Sequence, residues 1–178
     1  MKKLKKDTKQ FLDIFTRYLI LVLVALPGLW IFYFVFTPLT IYPIYLFLNL
    51  FFDVVLLGKI ILINDRIPIE FIRACIAGSA YYLLLVLNLS TSKINSKKRV
   101  KMIIFSFASF LLINILRIVI LIFLFMYGFA FFDITHKLFW YFMSVVFVIG
   151  IWFVQVKIFK IKEIPFYSDL KFLYKKIK

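Results

Sequence analysis

The run from Met102 to Tyr127 constrains this chain most, being apolar throughout apart from one charge, Arg117, and a few small polar residues. A helix of about 20 such residues crosses the roughly 30 Å hydrocarbon core of a bilayer, so the run predicts a membrane helix. A guanidinium near the middle of such a helix costs about 2.5 to 3.5 kcal/mol on insertion scales, and these residues usually face a bundle interior with a partner. Two other residues occur once each, Cys75 and His136, and each lies near the end of another apolar segment.

Composition sets the class. With 65% hydrophobic residues, 21% aromatics and a mean hydropathy of +1.02, the 178 residues read as a single all-α membrane domain with no room for a separate soluble one. The net charge of +15 does not point to nucleic acid. Its basic residues gather between and beyond the apolar segments, which is how topology is encoded in a membrane. One cysteine excludes an intramolecular disulfide, and one cysteine with one histidine is too few for an ordinary structural zinc site. Gly-x-Ser-x-Gly, His-Glu-x-x-His and phosphate-binding glycine loops are missing, which argues against serine hydrolase, zincin and P-loop chemistry. No metal or cofactor is expected.

Four spans are predicted, over residues 18–36, 74–89, 102–127 and 138–156. The first follows a basic tail, residues 1–17, that carries Lys2, Lys3, Lys5, Lys6 and Lys9. No small-x-small cleavage site follows it, so it reads as an uncleaved anchor, with Pro27-Gly28 lining a cavity or, more simply, marking a tolerated kink. The loop from Ser90 to Lys101, with Lys93, Lys97, Lys98, Arg99 and Lys101, and the basic tail over residues 157–178 belong in the cytoplasm. Both termini are then cytoplasmic.

Residues 39–71 must in that case stay on the outer side. Leu39 to Ile63 is apolar enough to span but contains Asp53 and Lys59, and a full crossing would force the Ser90 to Lys101 loop outside. The segment is therefore predicted to be interfacial or re-entrant. Ile60 to Phe71 reads either as a small external hairpin around an Asn64-Asp65 turn or as the approach to a helix starting at Pro68. The choice sets the depth of Cys75.

This topology puts Cys75, Arg117 and His136 in the outer half of the bilayer. A thiol is nucleophilic as thiolate, and a helix N-terminus with a nearby Arg favours that form. Asp133 is positioned to cap the His136 helix, whose positive end favours neutral imidazole, the form that accepts a proton. A division of labour follows in which Cys75 attacks a carbonyl, His136 moves protons and Arg117 stabilises negative charge. Asn114, three residues before Arg117, either orients it or bonds a neighbouring helix.

Each residue also has a structural reading. Cys75 fits as inert packing, His136 as an interfacial residue, and Arg117 as one half of a buried pair with Asp53 or Glu70. Ala74, Gly78, Ser79 and Ala80 fit close helix packing as well as close approach of a substrate backbone, and Ser106 and Ser109 fit as helix-packing hydroxyls.

The order and setting of Arg73-Ala74-Cys75-Ile76-Ala77-Gly78, Asn114-Ile115-Leu116-Arg117 and Asp133-Ile134-Thr135-His136 resemble the exosortase and archaeosortase family over about Ile60 to Val156. The family pattern is a Cys followed closely by small residues, then Asn-x-x-Arg, then a His after an external loop. Many members carry Ser or Thr and then Gly directly after the Cys, where Ile76-Ala77 stand in this chain. The short core and the Lys, Ile and Phe bias are similar to an archaeal-type member.

The resemblance implies a membrane cysteine protease or transpeptidase with its active site on the extracytoplasmic side. Its partners would be substrate proteins bearing a C-terminal sorting signal, made of a short motif, a transmembrane helix and a basic tail. A membrane lipid would be the acceptor. By motif position Cys75 is the implied nucleophile, Arg117 the electrostatic stabiliser, His136 the acid/base and Asn114 a supporting residue. The rival from another class is a noncatalytic membrane assembly or transport subunit in which Arg117 binds an anionic ligand or lipid headgroup.

Overall fold

A computed structural model describes residues 2–177; Met1 and Lys178, the outermost residues of the two basic tails, lie outside it. The described chain forms helices α1 (Lys2–Ala25) and α2 (Trp30–Leu48), strands β1 (Val54–Leu57), β2 (Ile60–Ile63) and β3 (Ile67–Glu70), then helices α3 (Arg73–Ile76), α4 (Gly78–Leu89), α5 (Ser96–Met126) and α6 (Phe132–Leu138). A π-helical turn over Phe139–Met143 leads into α7 (Ser144–Ile158), and α8 (Tyr167–Ile177) closes the chain. The fold is mostly helical, but the antiparallel sheet in the order β1-β2-β3 corrects the all-α expectation.

By length and composition two helices, α2 and α5, are long and apolar enough to cross a membrane, while Arg73–Leu89 and Ser144–Ile158 are shorter apolar stretches. Four full-length spans are not what the helices show. The expected span over residues 18–36 is cut in two. Pro27 supplies no N–H, and Gly28 and Leu29 follow with φ of 62° and 61°, so α1 ends at Ala25 and α2 starts at Trp30. The expected span over 74–89 is cut at Ala77, also left-handed with φ 56°. The expected span over 138–156 opens on the π turn and runs on to Ile158.

The outer segment over 39–71 also needs correction. Residues up to Leu48 continue α2 through Pro38 and Pro43, because Phe32, Phe36, Thr40, Ile41, Ile44 and Leu48 form a buried stripe at helical spacing. The remainder is the sheet. Gly58-Lys59 turns β1 into β2 with Gly58 at φ 64°. Asn64 and Asp65 turn β2 into β3 at φ 51° and 54°, with the Arg66 N–H donating to the Ile63 carbonyl at 3.1 Å. The Asn64-Asp65 hairpin reading holds, and Pro68 sits in β3 rather than opening a helix. Asp53 and Lys59, the charges that made this segment ambiguous, are exposed at the edges of the sheet.

Two cores stack along the bundle. At one level Phe36 lies on Tyr81 with ring centroids 3.6 Å apart, and Tyr81 meets the edge of Phe110 at 4.9 Å, joining α2, α4 and α5. At the other, Val54, Ile61 and Ile63 of the sheet pack onto Ile44 and Leu48 of α2 and Ile118 and Ile122 of α5. The opposite end is closed by polar groups. Arg17 donates to both carboxylate oxygens of Asp169 in α8 at 2.9 Å and to the Leu89 carbonyl at 2.6 Å. Arg99 donates to the carbonyls of Asn88 and Leu89 at 2.9 and 3.1 Å. The two arginines thereby satisfy the free carbonyls that end α4. Gln155 of α7 donates to the Asn88 side chain at 2.6 Å, and Asn88 donates to Ser106 at 3.3 Å, so Ser106 packs helices as expected.

Candidate active site

Cys75 lies in α3, a single helical turn set between β3 and the Ala77 break. The break lets α3 and α4 take separate directions, and Gly78 at its far side lies under Tyr33: a Cβ there would stand 2.8 Å from the ring. The Arg73 guanidinium covers the same ring at 5.4 Å. A helix dipole is the sum of aligned peptides, so one turn gives Cys75 little of the assistance expected from a helix N-terminus.

The Asn114 amide donates to the Cys75 carbonyl at 2.9 Å, which sets α3 at the level of the middle of α5. Cys75 therefore lies at the level of Asn114 along α5, within one turn of Arg117. Of the two roles open to Asn114, the bond is the one to a neighbouring helix, and it lands on Cys75 itself.

Arg117 is buried at 6% exposure. One Nη donates to the Ser144 hydroxyl at 3.1 Å and to the Phe139 carbonyl at 3.3 Å. The Ser144 hydroxyl itself donates to the Phe139 carbonyl at 3.3 Å, so the π turn and the start of α7 present both acceptors to Arg117 together. Neither Asp53 nor Glu70 pairs with Arg117 among the described residues. Its Nε and the Asn114 Oδ1 are buried without a partner.

His136 is half-buried on α6, stacked on Phe132 with centroids 5.7 Å apart and near Trp140 at 6.4 Å. Asp133 does not cap α6. The helix begins at Phe132, its capping position is Phe131 with no side-chain bond, and Asp133 lies exposed in the first turn. A carboxylate there still favours the positive helix end.

Cys75, Arg117 and His136 all line one cavity of about 360 Å³, together with Glu70 and Trp140. Its walls are otherwise apolar, from β3, α5 and α6. A second cavity of about 440 Å³ lies beside Ala74 and Trp140, with Tyr33, Ser79 and Ser144 in its wall. A thiol, an imidazole and an unneutralised guanidinium around one apolar chamber can perform nucleophilic chemistry on a carbonyl or hold an anion. Among the described residues no group of acids, cysteines and histidines is arranged to hold a metal ion.

Sequence reasoning missed Ser144 and the Phe139 carbonyl, which hold Arg117, and Tyr33, which seats Gly78. A serine at a helix start and a main-chain oxygen carry no distinguishing pattern. No family model, curated protein or solved structure matches the chain.

Proposed function

We propose that the chain is an intramembrane cysteine protease or transpeptidase of exosortase and archaeosortase type, acting on the C-terminal sorting signals of membrane-tethered surface proteins. One observation carries the reading: the only thiol, the only imidazole and the buried Arg117 border a single cavity. Ala77 adds support, because the position where the resemblance has glycine takes the left-handed conformation that glycine favours.

The Cys75 thiolate, its proton taken by His136, attacks the scissile carbonyl; a C–S bond forms while Arg117 steadies the oxyanion. The amide C–N bond then breaks, the leaving amine takes the proton from His136, and a thioester remains. An amine or hydroxyl of a membrane lipid gives its proton to His136 and attacks the thioester. The C–S bond breaks and the thiolate returns.

In the membrane, α1 with α2, α3 with α4, α5, and α6 with α7 form four antiparallel passes. Both termini and the Arg17–Asp169 end face the cytoplasm, while the sheet and cavity face outward. The short α4 and α7 are completed across the bilayer by α3, α6 and the π turn.

Cys75→Ala is the direct test. In cells making this variant, substrate proteins that end in a short motif, an apolar helix and a basic tail should keep that tail while the variant accumulates in the membrane. Normal processing contradicts the proposal. The second reading, a noncatalytic subunit that binds an anionic ligand or lipid headgroup, is favoured by the missing acidic partner of Arg117. It predicts that Cys75→Ser is silent and Arg117→Met is not.

A further inference from the structure

The thiol, imidazole and guanidinium account for the polar end of the cavity but not for its wall at β3, where Pro68, Ile69 and Glu70 border it. β3 is an edge strand. It pairs with β2 on one side, and no described strand pairs with the other. The Phe71 N–H donates to the Lys59 carbonyl at 2.9 Å, and this fixes the parity of the ladder. Main-chain groups of Ile69 and Ile67 face β2, and those of Pro68 and Glu70 point away. The outward row therefore offers the Pro68 carbonyl and the Glu70 N–H and carbonyl, with proline supplying no donor. From Glu70 the chain passes through Phe71 and Ile72 straight into the turn that carries Cys75.

A peptide bond about to be attacked beside a membrane raises its own difficulty. In a helix its amides bond internally and its carbonyl is shielded, so the substrate must unwind at the scissile position. Unwound amides in an apolar setting lack partners and are strongly disfavoured. An open strand edge supplies those partners, and alternate side chains of the added strand fall on one side.

We propose that the free edge of β3 is the substrate register of this site: an extended apolar polypeptide segment adds to β3 as a fourth strand, its alternate side chains enter the cavity, and one carbonyl is carried to Cys75. The occupant is a peptide because the edge offers a complementary row of main-chain donor and acceptors. It is apolar because the chamber wall is formed by residues such as Ile69, Ile122 and Phe125. The proposal rests on Cys75 being the nucleophile, and the experiment separates the two.

The probe is an apolar tripeptide chloromethyl ketone, acetyl-Val-Ile-Phe, with analogues N-methylated at each residue in turn. Labelling of Cys75, the only cysteine, is followed by mass on the full chain in detergent. N-methylation should slow labelling about ten-fold at alternate positions and little between them, the fold-change expected for one lost hydrogen bond. Glu70→Pro removes the outward N–H while sparing the bonds to β2, and should slow the peptide reagent relative to iodoacetamide when compared with Glu70→Gln, which loses the same charge and keeps the N–H. Equal labelling by all the N-methylated analogues and their parent overturns strand addition with the cysteine reading intact, even where Glu70→Pro fails to fold. A Cys75 inert to both iodoacetamide and the peptide reagent overturns both.

Discussion

Arg17 and Arg117 are both buried, at 4% and 6% exposure, and the fold treats them in opposite ways. Arg17 forms a two-pronged bond with Asp169, contacts Asp13 at 3.0 Å and closes the end of α4 through Leu89. Arg117 has a hydroxyl, one carbonyl and a free Nε. A charge neutralised on every side holds helices together. A charge left without an acid near a cavity is available to whatever enters it. The difference separates an end of the bundle whose buried charge is neutralised from one that leaves its charge beside a cavity, although the two arginines are equally buried.

Substitution by methionine breaks the comparison most forcefully. Arg17→Met strands Asp169 as an uncompensated buried carboxylate, and should cost about 3 to 5 kcal/mol. Arg117→Met replaces an expensive charge by an apolar side chain of similar length and strands no acid, so its stability should stay within about 1 kcal/mol of the parent. Thermal unfolding of both variants in one detergent makes the check. Arg17→Met with Asp169→Leu should recover much of the first loss, and equal costs for the two single variants would erase the distinction.

A smaller effect sharpens the structural end. Lys93 Nζ meets Glu163 Oε1 at 2.8 Å, and Ser168 bonds the other carboxylate oxygen. The Lys93 bond, then that of Ser168, hold the Glu163 carboxyl below the usual carboxylate range. The native group binds protons less readily than the unfolded one, so its contribution is complete above the usual range and is lost as pH falls through the depressed native value. Lys93 is largely exposed, at 67% for its side chain. The loss is therefore under about 1 kcal/mol, and Lys93→Ala should remove that part of the acid dependence of unfolding.

The cavity end is more legible in the sequence than the end closed by Arg17 and Asp169. Cys75, Arg117 and His136 stand out because each is rare in its setting, and the structure brings all three to one cavity. The Asn64-Asp65 turn was readable from residues that tolerate positive φ. By contrast, Arg17 and Arg99 looked like two more charges marking topology, since their partners, Asp169 and the carbonyls ending α4, become neighbours only after folding. Pro27-Gly28 was visible as a kink, but whether a kink becomes a break depends on Leu29 accepting a left-handed backbone. The depth of Cys75 was hidden for the same reason, because Ala77 in an apolar run gives no sign that the helix stops there. The part before the Asn64-Asp65 hairpin is harder to read, because short half-buried strands and a proline-containing helix are equally apolar.

The most direct measurement is the rate at which iodoacetamide alkylates Cys75 at neutral pH, in the parent and in Arg117→Met. Arg117 lines the same cavity as the thiol, and a guanidinium there favours the reactive thiolate, so its loss should slow alkylation up to about ten-fold. An unchanged rate in a folded Arg117→Met protein would contradict the account, because Arg117 would then not act on Cys75.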